Sequence, residues 1–327
     1  HLMFRSRQKR KAGFKVFLYR QQRKDHPPLG HHRQAAPRHL LSAGFVERLQ
    51  ALLTGFTQLE QGSLTLEVLE SSLLDDLDRA TAVIARCREL GVGCALDDFG
   101  TGYSSLSYLK NLPFSELKID RSFVRDMLAD PEDLAIIQGI VALARAFQLR
   151  LVAEGVESSE HARALLRIGC TQAQGYGIAR PMPAAEVVPW LSDWRPDPDW
   201  SRIRELPAGG QGAMFVQAGH RGWLQQLEDW LGDADTAAAP PARPARGLGR
   251  WLADLPPVLR EGQIARQVWL DYQTLHQRFD NAVAAYASGG ISAARPHREA
   301  LLDSGGRFIK GLEALVDALA QRASGSA

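Results

Sequence analysis

Residues 95–124 read ALDDFGTGYSSLSYLKNLPFSELKIDRSFV. The stretch begins with a short apolar run that stops at two adjacent acids, Asp97 and Asp98. It then crosses a Gly/Ser-rich turn and an amphipathic segment, Ser104 to Asn111. A second short run, Glu116 to Ile119, carries Lys118 and leads into Asp120. Strand, helix and strand in that order imply a βα unit and a parallel sheet.

The alternation extends in both directions. Further strands are expected at Leu64 to Leu69, Val92 to Leu96, Leu149 to Ala153 and Cys170 to Gly175. Helices are expected at Asp78 to Leu90, Pro131 to Phe147, Ser158 to Ile168 and Ala184 to Trp194. Pro131 suits a first helical position and Ser158 an N-cap, while Gly91 and Gly169 fall where helices stop. After Trp194 no strand pattern appears. Arg195 to Gly212 reads as a linker, and Gly232 to Gly247 as an Ala/Pro/Arg tract. Helical periodicity marks Phe215 to Leu231, Leu248 to Leu252, Gln263 to Tyr286 and Ser292 to Leu319. The expected fold class is α/β, a TIM-like (βα) barrel incomplete at its N-terminal side, followed by an all-α domain of the four-helix-bundle type. The expected boundaries are 1–35 for an atypical basic segment, 36–195 for the barrel, 196–213 for the linker and 214–322 for the bundle.

Polar residues, mostly acids, end the successive strands: Glu67, then Asp97 and Asp98, then Lys118 and Asp120, then Glu154, and last Gln174. In a βα barrel those ends share one mouth, where such enzymes carry their chemistry. Carboxylates gathered there repel unless a cation neutralises them. An all-oxygen set favours Mg²⁺ or Mn²⁺ over zinc. Adjacent aspartates can serve two ions when one carboxylate bridges, and two ions suit in-line attack on a phosphodiester. Taken singly, each acid reads better as a helix N-cap or a surface charge at a strand end; five such positions in phase favour the metal reading.

Composition narrows the partners. The net charge of the 327 residues is only +2, which gives no reason to expect nucleic acid. The first forty residues hold eleven Lys/Arg against the single acid Asp25; this cluster is read as a solvated arm. Cys87, Cys94 and Cys170 form no CxxC pair and are expected to be buried free thiols. No apolar run is long enough to span a bilayer, and a cytoplasmic location is expected.

Four segments resemble the EAL family of cyclic di-GMP phosphodiesterases: LTLEVLESSLL (64–74), the stretch quoted above, LVAEGVES (151–158) and QGYGIARPMP (174–183). The resemblance implies hydrolysis of cyclic di-GMP to linear pGpG. It implies Glu67 and Asp97 as ligands of one metal, and Asp97, Asp98 and Glu154 as ligands of a second. Lys118 would contact the attacking water, with Glu157 and Gln174 in support. Glu70 would anchor the loop after Asp98, where residues 100–103 shape the site and a homodimer contact. Arg180 and Pro181 would border the nucleotide. Two family features are missing: no Glu-Ala-Leu motif precedes Glu67, and Gln34 stands where an Asn ligand belongs. Weak or lost hydrolysis is therefore expected, and a non-catalytic module that binds cyclic di-GMP or a protein is the alternative.

In the second half, His220 with Trp223, LGRW (248–251) and LHQRF (275–279) resemble the CZB family, helical bundles that bind zinc through three His and one Cys. Here the Cys position is Arg246 and the final His position is Asp280. Zinc would be left with His220, His276 and an oxygen of Asp280, next to an arginine that repels it. The alternative is a pair of ordinary bundle histidines.

Overall fold

The computed structural model describes residues 31–34, 40–55, 62, 64–69, 76–100, 106–232, 239–244 and 247–325. They divide into two compact units. The first draws on residues up to 125 together with 136–165 and 170–201, and the second on 126–135, 166–169 and 202 onward. Glu70, the loop 101–105 and Arg246 lie outside the described residues.

The elements run β1 (His31–Gln34), α1 (Phe45–Thr54), β2 (Leu64–Leu69), α2 (Leu77–Glu89), β3 (Gly93–Phe99), α3 (Leu106–Asn111), β4 (Glu116–Ile119), α4 (Arg121–Asp126), α5 (Pro131–Ala146), β5 (Arg150–Ala153), α6 (Ser159–Arg167), β6 (Gln172–Ala173) and α7 (Ala184–Asp193). All neighbouring strands pair in parallel, in the order β1 to β6. Sequential order with a helix in each of the five crossovers is how a βα barrel winds. Among the described residues the sheet has six strands with β1 and β6 as its edges, and those two edges do not pair with each other.

Local signals account for the helix ends. Asp76 caps α2 by accepting from Arg79 N at 3.1 Å. Pro131 is the first residue of α5. Gly91 and Gly169 follow α2 and α6 with φ of 77° and 87°, the left-handed stop that glycine adopts without strain. Leu66, Val68, Leu96, Leu117, Ile119 and Val152 of the strands are buried, as are Ala80, Ile84, Ile140 and Val141 of the helices. Both sheet faces are buried, so the polar residues that alternate with these apolar ones, Thr65, Glu67, Glu116 and Lys118, are buried too. Cys87 and Cys94, seven residues apart, are both buried and share a thiol hydrogen bond.

Two expectations for this half need correcting. Residues 31–34, read as part of an arm outside the domain, form β1, with Gln34 opposite Glu67 in register. The sequence HHRQ carries no apolar alternation, so the backbone pairing had no side-chain signal. The strand expected to stop at Leu96 continues through Asp97 and Asp98 to Phe99, because the ladder tolerates an irregularity there.

The helical unit contains α8 (Ala208–Gly232), α9 (Leu248–Ala253), α10 (Pro257–Arg260), α11 (Gln263–Ala294) and α12 (Arg298–Gly325). Trp223, Leu227, Leu275, Phe279, Leu301, Phe308, Leu312 and Leu315 form its core. Helix α8 begins inside the expected linker. Its glycines look like flexible linker residues, but at Gly212 a Cβ would lie 2.7 Å from Trp251 Cδ1. This glycine serves close packing. Helix α11 continues past Tyr286 to Ala294 across a break at Gly289 and Gly290. Among the described residues no helix is long and apolar enough to cross a membrane.

Candidate active site

The C-terminal ends of β2 to β6 deliver their polar side chains to one buried cluster. Lys118 of β4 is at its centre. Its Nζ lies 2.7 Å from Glu67 Oε1 and 2.8 Å from Asp97 Oδ1, and it also contacts Glu154 Oε1. Gln174 donates from Nε2 to that same Glu154 oxygen. Glu67 is fully buried, and Lys118 is 1% exposed. Main-chain pairing sets these positions: Glu154 N donates to Ile119 O at 3.1 Å, and Gln174 N to Ala153 O at 2.8 Å. Glu154 and Gln174 thus extend the ladders of β5 and β6 by one residue each.

The cluster holds three carboxylates and one ammonium in the protein interior, where an unpaired charge is costly. Burial opposes the Lys118 charge, yet Glu154, Glu67 and Asp97 outweigh it and hold the amine protonated, well above the usual lysine range. Burial also raises Glu154, against the pull of Lys118.

Asp98 is placed differently. The register between β3 and β4 shifts between Leu96 and Phe99, and Asp98 has a left-handed φ of 56°. Aspartate tolerates that region better than most residues, and such bulges re-aim side chains beside active sites. Asp98 is not in the oxygen group formed by Glu67, Asp97 and Glu154; its carboxyl hydrogen-bonds Asp120. Burial first, then the charges of Asp97 and Asp120, push Asp98 up to about 6. Burial works against Asp120 as well, but Ser122 donates to it from Oγ and from N at 2.8 Å and holds it below its ordinary value. Near pH 6 and below, Asp98 therefore carries a proton that it donates to Asp120.

One carboxylate oxygen from each of Glu67, Asp97 and Glu154 falls within 4.8 Å of the others. Gln174 Oε1 is buried beside them with no hydrogen-bond partner among the described residues. An all-oxygen set with a spare buried acceptor fits a hard divalent cation. The remaining expected residues are not gathered here. Glu157 is exposed on the turn before α6, and the contact to Glu154 comes from Gln174 alone. Arg180 and Pro181 are also exposed, and the Arg180 guanidinium stacks 5.2 Å from the centre of the Tyr176 ring. Asp120 is expected among the strand-end acids but without a role, and Ser122 is not among the expected residues. The Asp-x-Ser spacing before a helix is the signal that could have found them.

The family model described as EAL domain matches residues 14–181, just over half of the chain. The chain belongs to the EAL family. Its EAL segment is 46% identical over 146 residues to the bifunctional diguanylate cyclase/cyclic di-GMP phosphodiesterase MucR of Pseudomonas aeruginosa, covering 45% of this chain and 21% of that protein. It is 43% identical over 156 residues to the cyclic di-GMP phosphodiesterase RocR of the same organism, covering 48% of this chain and 40% of that protein. The chain thus spans 21% to 40% of the length of these curated relatives. Among solved structures, the EAL domain of Mycobacterium smegmatis DcpA is 42% identical, with a TM-score of 0.48, covering 51% of this chain and 74% of that one.

The EAL match ends before helix α8, and the histidines of α8 and α11 form an aromatic box. His220 donates from Nδ1 to Val216 O at 2.7 Å, which leaves Nε2 buried without a partner among the described residues. Both ring nitrogens of His276 are likewise buried and unpartnered. Trp223 stacks on His276 at 5.2 Å and Tyr272 packs at 4.2 Å. Asp280, the expected oxygen ligand for zinc, is instead ion-paired with Arg243. Among the described residues the metal-binding geometry is met by Glu67, Asp97 and Glu154 alone. The zinc set His220, His276 and Asp280 does not converge, because a guanidinium has taken the third ligand.

The box has a pH consequence. Burial, then the nearby His220 and Arg243, push His276 from 6.5 down to about 4. Between those values the unfolded chain binds a proton that the folded unit refuses, so stability falls as pH drops from about 6.5 to about 4, by roughly 1.4 kcal/mol per pH unit. Amide hydrogen exchange in α11 should show the helical unit about 2 kcal/mol less stable at pH 5 than at pH 7.5. His276→Phe should remove most of that difference; an unchanged difference would contradict the assignment.

Proposed function

We propose that Glu67, Asp97, Asp98 and Glu154 are the metal ligands of a cyclic di-GMP phosphodiesterase site, with Lys118 and Gln174 beside them. We further propose that these 327 residues hydrolyse cyclic di-GMP to pGpG weakly or not at all. The convergence of Glu67, Asp97 and Glu154 on one point carries the reading. The phosphodiesterase names of relatives at 43–46% identity support it. Glu67 and Asp97 would hold one Mg²⁺ or Mn²⁺, and Asp97, Asp98 and Glu154 a second. Bound there, divalent cations would neutralise the phosphodiester and make water a better nucleophile. Lys118 would then orient that water or steady charge on a phosphoryl oxygen, Gln174 would fix the Glu154 carboxylate, and Arg180 on Tyr176 offers a cation and a ring face to a nucleotide.

Low turnover follows from the first strands. Gln34 lies opposite Glu67 in register, where the family pattern calls for an Asn, and no Glu-Ala-Leu precedes Glu67. These two differences equally favour the second reading, a non-catalytic cyclic di-GMP-binding module. Equilibrium dialysis with labelled cyclic di-GMP tests what the two readings share. Saturable, Mg²⁺-dependent binding is expected, weakened about tenfold by Glu154→Gln. Absence of binding with and without Mg²⁺ would overturn both.

A homodimer through the barrel and a cytoplasmic location belong to the same proposal. The helical unit is proposed as a CZB-like regulatory module that has exchanged its metal for the Arg243–Asp280 ion pair. Metal analysis of the purified chain should find no stoichiometric zinc; zinc at one equivalent, lost in His276→Ala, would refute this.

A further inference from the structure

Lys118 occupies the point on which the three carboxylates converge. Its ammonium contacts one oxygen of each of Glu67, Asp97 and Glu154. Those are the same three side chains that form the cation-sized oxygen group. The lysine is 1% exposed, so water does not weaken these contacts as it would at a surface. A divalent cation entering this group would meet a positive charge already within ion-pair distance of every ligand. At such distances like charges repel strongly even when the surroundings screen them well.

We propose that Lys118 is a built-in counter-cation that competes with the divalent metal for Glu67, Asp97 and Glu154, so that metal binds only when the ammonium is displaced from at least part of the cluster. This rests on the reading of the three carboxylates as metal ligands, and adds that the chain's own lysine sets their affinity. The device has a physical rationale: it neutralises the buried acids whenever no metal is bound. It also has a cost, since every metal-binding event must first separate short, buried ion pairs. The spare Oε1 of Gln174 offers the displaced ammonium or the entering cation an oxygen that no described residue uses.

The test is calorimetric titration of Mn²⁺ into the full chain and into Lys118→Met. Tighter Mn²⁺ binding by the variant, by at least about tenfold, is expected. Equal or weaker binding by the variant, with measurable binding by the unsubstituted chain, would overturn the lysine's role and leave the metal-site reading intact. Absence of Mn²⁺ binding by both proteins, each folded by circular dichroism, would overturn the metal site itself. Lys118→Met leaves three buried acids without a counter-charge and could unfold. The same comparison is therefore also made between Glu67→Gln and the double variant Lys118→Met/Glu67→Gln, which removes one charge of each sign. There too the lysine substitution should tighten Mn²⁺ binding; no change would count against the proposal.

Discussion

Lys118→Met should lower the stability of the sheet unit by about 3–5 kcal/mol in urea unfolding at pH 8 without divalent cations, because removing one partner of a buried ion cluster strands the others. The lysine has short contacts to Glu67, Asp97 and Glu154 and is nearly inaccessible to water. Loss of its packing adds little, since methionine fills a similar volume with a flexible chain. The deficit is therefore electrostatic, and its sign with pH follows. As pH falls the stranded carboxylates take up protons, so the gap between variant and parent should narrow from pH 8 toward pH 5. A gap that is unchanged or grows on acidification would show that the lysine acts by shape. Addition of Mn²⁺ should narrow the gap as well, since it restores positive charge to the cluster.

Gly175→Ala should cost about 3 kcal/mol, at the upper end of what overpacking usually does. A Cβ at Gly175 would lie 2.2 Å from Val156 O and 2.3 Å from Val156 N. Both are backbone atoms that cannot rotate aside. Val156 N donates to Gln174 O at 3.0 Å, and Gly177 N donates to Val156 O at 2.8 Å. These bonds tie β6 to the turn that follows Glu154. Forcing the strands apart would also move Gln174 away from Glu154, so the variant should lose cation binding as well as stability. Thermal unfolding in the presence and absence of Mn²⁺ reads both effects. A variant as stable as its parent would mean that the close approach of these two turns is not essential.

Much of this is legible in the sequence, and the reasons are local. Strands β2 and β4 announce themselves by aliphatic residues at alternate positions, Leu64, Leu66 and Val68 in LTLEVL and Leu117 and Ile119 in ELKI. The cluster of Glu67, Asp97, Lys118, Glu154 and Gln174 follows from placing polar residues at strand ends and letting parallel winding gather those ends. Features that depend on backbone geometry were not legible. Strand β1 is built from HHRQ and is held by pairing with β2, which leaves no mark on residue type. The irregularity at Asp97 and Asp98 turns Asp98 toward Asp120, whereas a list of strand-end acids treats the two aspartates alike. Glu157 fits the motif by spacing, but it projects from a turn and is exposed. In the second half, Gly212, which lets α8 pack against Trp251, carries the same signature as a linker glycine. The Arg243–Asp280 pair joins residues too far apart in sequence for any periodicity to reveal.

Release of pGpG from cyclic di-GMP by the purified 327-residue chain, with saturating Mg²⁺ or Mn²⁺, tests the central claim most directly. The expected result is binding of the dinucleotide with turnover at or near the background rate, since the acidic cluster is present while the Glu-Ala-Leu glutamate and the Asn ligand are not. Robust turnover that Asp97→Ala abolishes would contradict it.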